Sequence, residues 1–257
     1  MKYNNILSST TNGINIITIN RPKQLNALNK ETILELSKEI SISNSNPSIR
    51  CIILTGSGDK AFVAGADIKE FVSFTKSEGE KLAREGQELL FDKLSNLETP
   101  TIAAINGFAL GGGLELAMSC HIRVASENTK MGLPEVSLGV IPGYGGTQRL
   151  TELVGKGRAI EMITAANMIG SNKALQWGLV NHICSFEELM PKAKEIASRI
   201  ISNSPMAISK AIKSINAGII DGVDGYEVEI NEFGSCFETD QFVEGTKAFL
   251  EKRKARF

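Results

Sequence analysis

Two glutamates stand alone in apolar, glycine-rich surroundings. Glu115 is the one charged residue between Phe108 and Cys120, in the run TIAAINGFALGGGLELAMSC at residues 101–120. Glu135 is the one charged residue between Lys130 and Arg149, and it follows Pro134. An isolated carboxylate in such a run costs several kcal/mol unless it is paired, hydrogen-bonded or kept neutral, and groups held that way are typical of acid/base sites. Gly112 and Gly113 fall where a helix would begin, so the N–H groups of its first turn have no partner inside the helix. Without a Cβ there, another molecule can approach the backbone closely. The stretch therefore offers an anion-binding N–H donor and an acid/base carboxylate in one place.

A second open piece of backbone is Ala64-Gly65-Ala66, where the Ala66 N–H is a candidate donor facing Gly112. Structural readings stand beside these. A glutamate in the first turn of a helix interacts favourably with its dipole, and small-residue turns are common. A dinucleotide phosphate loop fits poorly. The spacing is Gly107-x-x-x-Gly111-Gly112-Gly113 rather than G-x-G-x-x-G, and no acidic residue ends a second strand at the required distance.

The elements that must hold these residues are legible in outline. Residues 14–20 alternate as a strand that Arg21-Pro22 ends. Asn29 is placed to cap a helix to about residue 42, with Ile33, Leu36 and Ile40 on one side. Residues 51–55 and 101–105 read as buried strands, residues 122–125 as another, and 129–131 as a short extended piece. Asp67 is expected to cap a short helix over residues 68–71, and a long helix is expected over roughly 77–97. Pro142-Gly143 and Gly145-Gly146 form a glycine-rich turn before a helix. A helix from Lys156 breaks near residues 168–170, a short one follows over 171–177 capped by Ser171, and residues 179–183 read as the last strand. Beyond them, residues 186–202, 205–220, 226–237 and 241–251 carry helical periodicity, so the end of the chain reads as a helical appendage on an αβ core.

A chain of 257 residues can bury a full core. Its net charge of −1 gives no overall basic field for nucleic acid or a membrane surface. The four cysteines form no C-x-x-C and read as reduced, packed thiols. His121 and His182 lack ligand-spaced partners, so no metal site is expected, and His121 reads as structural. No apolar signal core or membrane-length run is visible, and a cytoplasmic location is expected.

Several stretches together resemble the crotonase (enoyl-CoA hydratase/isomerase) superfamily. They are INRP at residues 19–22, NAL at 26–28, AFVAGADIK at 61–69, AINGFALGGGLELAM at 104–118, Pro134-Glu135, IPGYGGTQR at 141–149 and FLEKRK at 249–254. They cover nearly the whole chain in the family's order. The resemblance implies an α/β fold: a crotonase-type spiral core of ββα turns over residues 1–195, and a helical trimerisation region over 196–257. A homotrimer, or a hexamer of two trimers, is then expected. It also implies an acyl-CoA ligand, with coenzyme A as part of the substrate, and no separate cofactor. Ala66 and Gly112 would form the oxyanion hole, and Glu115 and Glu135 would be the catalytic carboxylates. Retention of both carboxylates favours a hydratase over an isomerase. Ala64, Asp67, Ile68, Lys69, Gly143 and Lys252 are the expected substrate and CoA contacts, the two lysines at positions that meet CoA phosphates. Leu114 and Leu133 depart from the commonest hydratase residues and are expected to line or border the pocket.

Overall fold

The Asn12-Gly13 pair, with φ of 50° and 77°, closes a hairpin between β1 (Ile6–Thr11) and β2 (Ile14–Ile19). Such a pair suits the two-residue turn whose twist matches antiparallel strands. The computed structural model describes residues 2–257. After β2, α1 (Lys30–Ser45) begins at Asn29, whose side chain accepts the Thr32 N–H at 2.9 Å. Ile33, Leu36 and Ile40 are its buried face, as their spacing requires.

From there the chain winds as a spiral, and each turn gives one strand to each of two sheets. β3 (Cys51–Gly56) and β4 (Ala61–Ala64) lie in different sheets. So do β5 (Thr101–Ile105) and β6 (Phe108–Leu110), and β7 (Ile122–Ser126) and β8 (Lys130–Gly132). Strands at equivalent places pair in parallel, β3 with β5 with β7 and β4 with β6 with β8. Finally β9 (Ile169–Gly170) pairs antiparallel with β8, and β10 (His182–Cys184) pairs parallel with β7. This is the expected spiral of ββα turns.

Between β4 and β5 run α2 (Lys76–Gly86), a π-helical turn at Gln87–Phe91 and α3 (Asp92–Ser95). Thr75 and Glu78 form a capping box at the start of α2. The single helix expected over 77–97 is therefore interrupted by a wide turn. α4 (Gly112–Ser119) joins β6 to β7, α5 (Gly146–Val154) and α6 (Lys156–Thr164) follow β8, and α7 (Ser171–Trp177) joins β9 to β10. Ser171 does not cap α7. Its hydroxyl donates to the Glu127 carbonyl at 2.7 Å, and the cap position is Gly170. The last strand is shorter than expected and starts at His182, after Leu179 and Val180 have gone into the core.

All six residues of β3 are buried, because the sheet is covered on both faces. Ile52 and Leu54 face the spiral interior with Ala103 and Ile105. Cys51 and Ile53 face the other way, with Ile102, Ala104 and Val124, onto α8 (Leu189–Ile201). α8 packs there through Leu189, Ala193 and Ala197. The expected domain boundary at 195/196 falls inside α8, after which come α9 (Pro205–Ala217), α10 (Gly225–Cys236) and α11 (Asp240–Leu250). Every residue of α10 is at least partly exposed, including Tyr226 and Phe233. Among the described residues no helix is long and apolar enough to cross a membrane.

Candidate active site

The turn from β6 into α4 is made by Gly111, whose φ of 50° and ψ of −127° suit glycine alone. A Cβ on Gly111 would fall 2.7 Å from Glu135 Oε1, so the missing side chain also makes room for that carboxylate. Gly113 is fixed by packing, since a Cβ there would sit 2.0 Å from the Val63 carbonyl oxygen. These glycines let α4 begin close against β4. As the first helical residue, Gly112 has an N–H with no carbonyl one turn back to receive it.

Opposite lies Ala66, held by the strand-like bridge to Leu28. The Leu28 N–H donates to Gly65 O at 2.9 Å, and the Asp67 N–H donates to Leu28 O at 2.7 Å. Among the described residues the Ala66 N–H meets no protein acceptor. Its nitrogen is 3.7 Å from where a Gly112 Cβ would be. Ala66 and Gly112, each with an N–H that meets no protein acceptor among the described residues, thus border one small space.

Glu115 is 1% exposed. Its Oε1 accepts the Tyr144 and Gly146 N–H groups, each at 2.8 Å. Burial, reinforced by the nearby Glu135 charge, pushes its pKa up to about 7, and the two N–H donors only partly oppose this. Glu135 opens a 3-10 turn at Glu135–Leu138 after Pro134. Its Oε2 is buried without a hydrogen-bond partner, and burial raises its pKa too. Two carboxyls in one apolar site disfavour double ionisation.

Both glutamates line one cavity of about 460 Å³, together with Ala66, Gly112 and the apolar side chains of Phe71, Leu82, Leu138 and Ile141. Such a volume suits a small organic ligand. Among the expected contact residues, Ala64, Ile68 and Gly143 also line it. Asp67, Lys69 and Lys252 do not. Asp67 makes no side-chain cap for the 3-10 turn at Ile68–Glu70, and its carboxylate instead pairs with Arg21 at 3.1 Å. Lys69 and Lys252 are exposed. Leu114 and Leu133 are fully buried in the hydrophobic core and do not line the cavity, although each is next in sequence to a residue that does. Leu114 points away because it precedes Glu115 by one residue on the helix, about 100° around its axis.

Tyr144 and Gly146 were not legible as partners of Glu115. The glycine-rich turn was visible, but which carboxylate its N–H groups meet depends on the stacking of the spiral. His121 has the structural role expected. Its Nδ1 accepts the Thr101 N–H at 3.0 Å, and burial lowers its pKa to about 4. Among the described residues no group of three or more His, Cys, Asp or Glu is placed to hold a metal ion.

The profile of the family described as Enoyl-CoA hydratase/isomerase matches residues 9–257. The chain is 45% identical to the crotonyl-CoA hydratase of Syntrophomonas wolfei, over 100% of this chain and 99% of that one. It is 46% identical to the short-chain-enoyl-CoA hydratase of Clostridium acetobutylicum, over 99% and 97%. A solved enoyl-CoA hydratase subunit from Geobacillus kaustophilus superposes with a TM-score of 0.94 at 38% identity, covering 100% of this chain and 99% of that one. With the glutamate pair, the facing N–H groups and matches over its full length, this chain belongs to the enoyl-CoA hydratase/isomerase family.

Proposed function

We propose that the protein catalyses the reversible syn hydration of a short-chain 2-enoyl-CoA to the 3-hydroxyacyl-CoA. The observation that carries this reading is the convergence of Glu115 and Glu135 on one cavity that the Ala66 and Gly112 N–H groups also face. Adding water across the double bond pushes electron density onto the thioester oxygen. Two preorganised N–H donors stabilise that charge, and loss of one such donor costs about 2.7–4 kcal/mol in a comparable site. The start of α4 adds the positive end of a helix.

The two carboxyls have different surroundings. Glu115 accepts two backbone hydrogen bonds, which favour its charged form, whereas the unpartnered Oε2 of Glu135 favours the neutral acid. The state competent for hydration has Glu115 ionised and Glu135 protonated. Glu115 takes a proton from the water attacking Cβ, and Glu135 gives one to Cα. Dehydration runs through the same groups in reverse.

The CoA portion is assigned to the open side of the cavity, with Lys69 and Lys252 contributing positive charge toward its phosphates. The exposed apolar residues of the C-terminal helical region, Ile215, Ile219, Tyr226, Ile230 and Phe233 among them, support a homotrimer or hexamer, since apolar surface of this kind marks association. Four free cysteines fit a reducing, cytoplasmic setting.

Mass spectrometry of the product from crotonyl-CoA tests the activity. Hydration adds one water to the intact acyl-CoA, isomerisation leaves the mass unchanged, and thioester hydrolysis releases free CoA. Glu135→Gln is expected to lower kcat by about 100-fold or more while binding persists. Near-normal turnover in that variant would refute the two-carboxylate mechanism.

A further inference from the structure

The Glu115 carboxylate is aimed by two N–H groups, and those groups are themselves held. In the chain, the Tyr144 carbonyl lies between the Tyr144 and Gly146 N–H donors. Arg149 Nη1 donates to that carbonyl at 2.8 Å. The same guanidinium donates through Nη2 to Asp92 Oδ1 at 2.6 Å and through Nε to Ser95 Oγ at 3.1 Å. Its side chain is only 14% exposed. Gly145, with φ of 90°, is required by this arrangement, because a Cβ there would lie 2.1 Å from Arg149 Nη1.

The rest of the turn is held from the same side. Gln87 Nε2 donates to the Gly143 carbonyl at 2.7 Å. The Phe91 and Tyr144 rings stack with centroids 4.6 Å apart. A Cβ on Gly86 would come within 2.3 Å of the Tyr144 ring, so glycine is needed there too. These groups, with Asp92 and Ser95, come from the segment that contains the π-helical turn, and the wide turn brings them to one loop.

We propose that Arg149 is a positioning residue for Glu115: fixed by Asp92 and Ser95, it orients the Tyr144 carbonyl and so the two N–H groups that hold the carboxylate. This rests on the hydratase reading of the site. The guanidinium charge also favours the ionised form of Glu115, which gives the role a pH signature.

The test compares wild type with R149Q, R149K and D92N on crotonyl-CoA, reading kcat, KM and the pH dependence of kcat/KM. For R149Q, kcat is expected to fall about 10- to 100-fold, as for a small misplacement of a reacting group, with KM nearly unchanged. Its acidic limb should move to higher pH, because a charge favouring the Glu115 carboxylate has gone. Lysine keeps the charge but lacks the planar fork. R149K should therefore restore the acidic limb yet leave kcat lowered by about tenfold. D92N, at a half-exposed site, should lower kcat in the same direction and decides the matter with R149K if R149Q does not fold.

Amide proton shifts of Tyr144 and Gly146 read the two hydrogen bonds without turnover. Upfield movement of both in R149K supports the proposal. Unchanged shifts, or normal kcat in R149K and D92N whatever their melting temperatures, would overturn it and leave Arg149 as a strut between α5 and α3. A wild-type protein inactive on crotonyl-CoA would count against the hydratase reading instead, and the amide shifts would still decide the role of Arg149.

Discussion

Replacing Glu115 by glutamine separates the carboxylate's part in turnover from its effect on the fold. Glutamine has nearly the same shape, and its Oε1 can accept the Tyr144 and Gly146 N–H groups where the carboxylate now accepts them at 2.8 Å. It cannot take a proton from water, so kcat for crotonyl-CoA hydration is expected to fall by about 100-fold to 10,000-fold with little change in KM. Stability should move the other way. Burial, with the nearby Glu135 charge, raises the Glu115 pKa from 4.5 to about 7. A folded-state pKa above the unfolded one means that the favourable contribution is present below the unfolded value. It is lost as pH rises through the folded value.

For a shift of this size the loss is about 3 kcal/mol once the group is fully ionised. The glutamine variant has no such loss, so its stability relative to wild type should rise by about 2–3 kcal/mol between about pH 5 and about pH 8.5. Urea unfolding followed by Trp177 fluorescence measures the difference, at one protein concentration because association is linked to stability. A stability difference that is the same at both pH values would refute the burial and charge argument. Turnover like that of wild type would refute the base.

Two further perturbations test the surroundings. In Gly146→Ala the added Cβ would lie 2.8 Å from Glu115 Oε1 and 2.9 Å from Pro142 Cβ, so the loop must shift. Steady-state kinetics should then show kcat lowered about 10- to 100-fold, and a normal kcat would mean that the loop does not aim the carboxylate. Lys252→Ala should raise the KM for crotonyl-CoA and leave kcat nearly unchanged, with an effect that shrinks as salt is added. A loss in kcat alone would contradict a CoA-phosphate role.

Much of the architecture could be read locally because local chemistry sets it. Asn29 begins α1 because its side chain meets an N–H three residues on, and β3 and β5 are buried strands because short apolar runs can satisfy their backbone in a covered sheet. β1 escaped notice because only Ile6 among its six residues is buried, leaving no alternation to see. The π-helical turn escaped as well, since its residues are ordinary helix formers with no local signal for a wider turn.

Residue types and their isolation already marked Glu115, Glu135, Gly112 and Ala66 as a possible acid/base site, because an unpaired carboxylate in an apolar run demands compensation wherever it lies. The form of that compensation depended on the fold. Glu115 is held by N–H groups 29 and 31 residues further along, and Arg149 reaches a carboxylate 57 residues before it. Asp67, plausible as a local cap, found a stronger partner 46 residues away in Arg21. Such pairings are set by the stacking of successive turns of the spiral, and no local preference of the chain encodes that spacing.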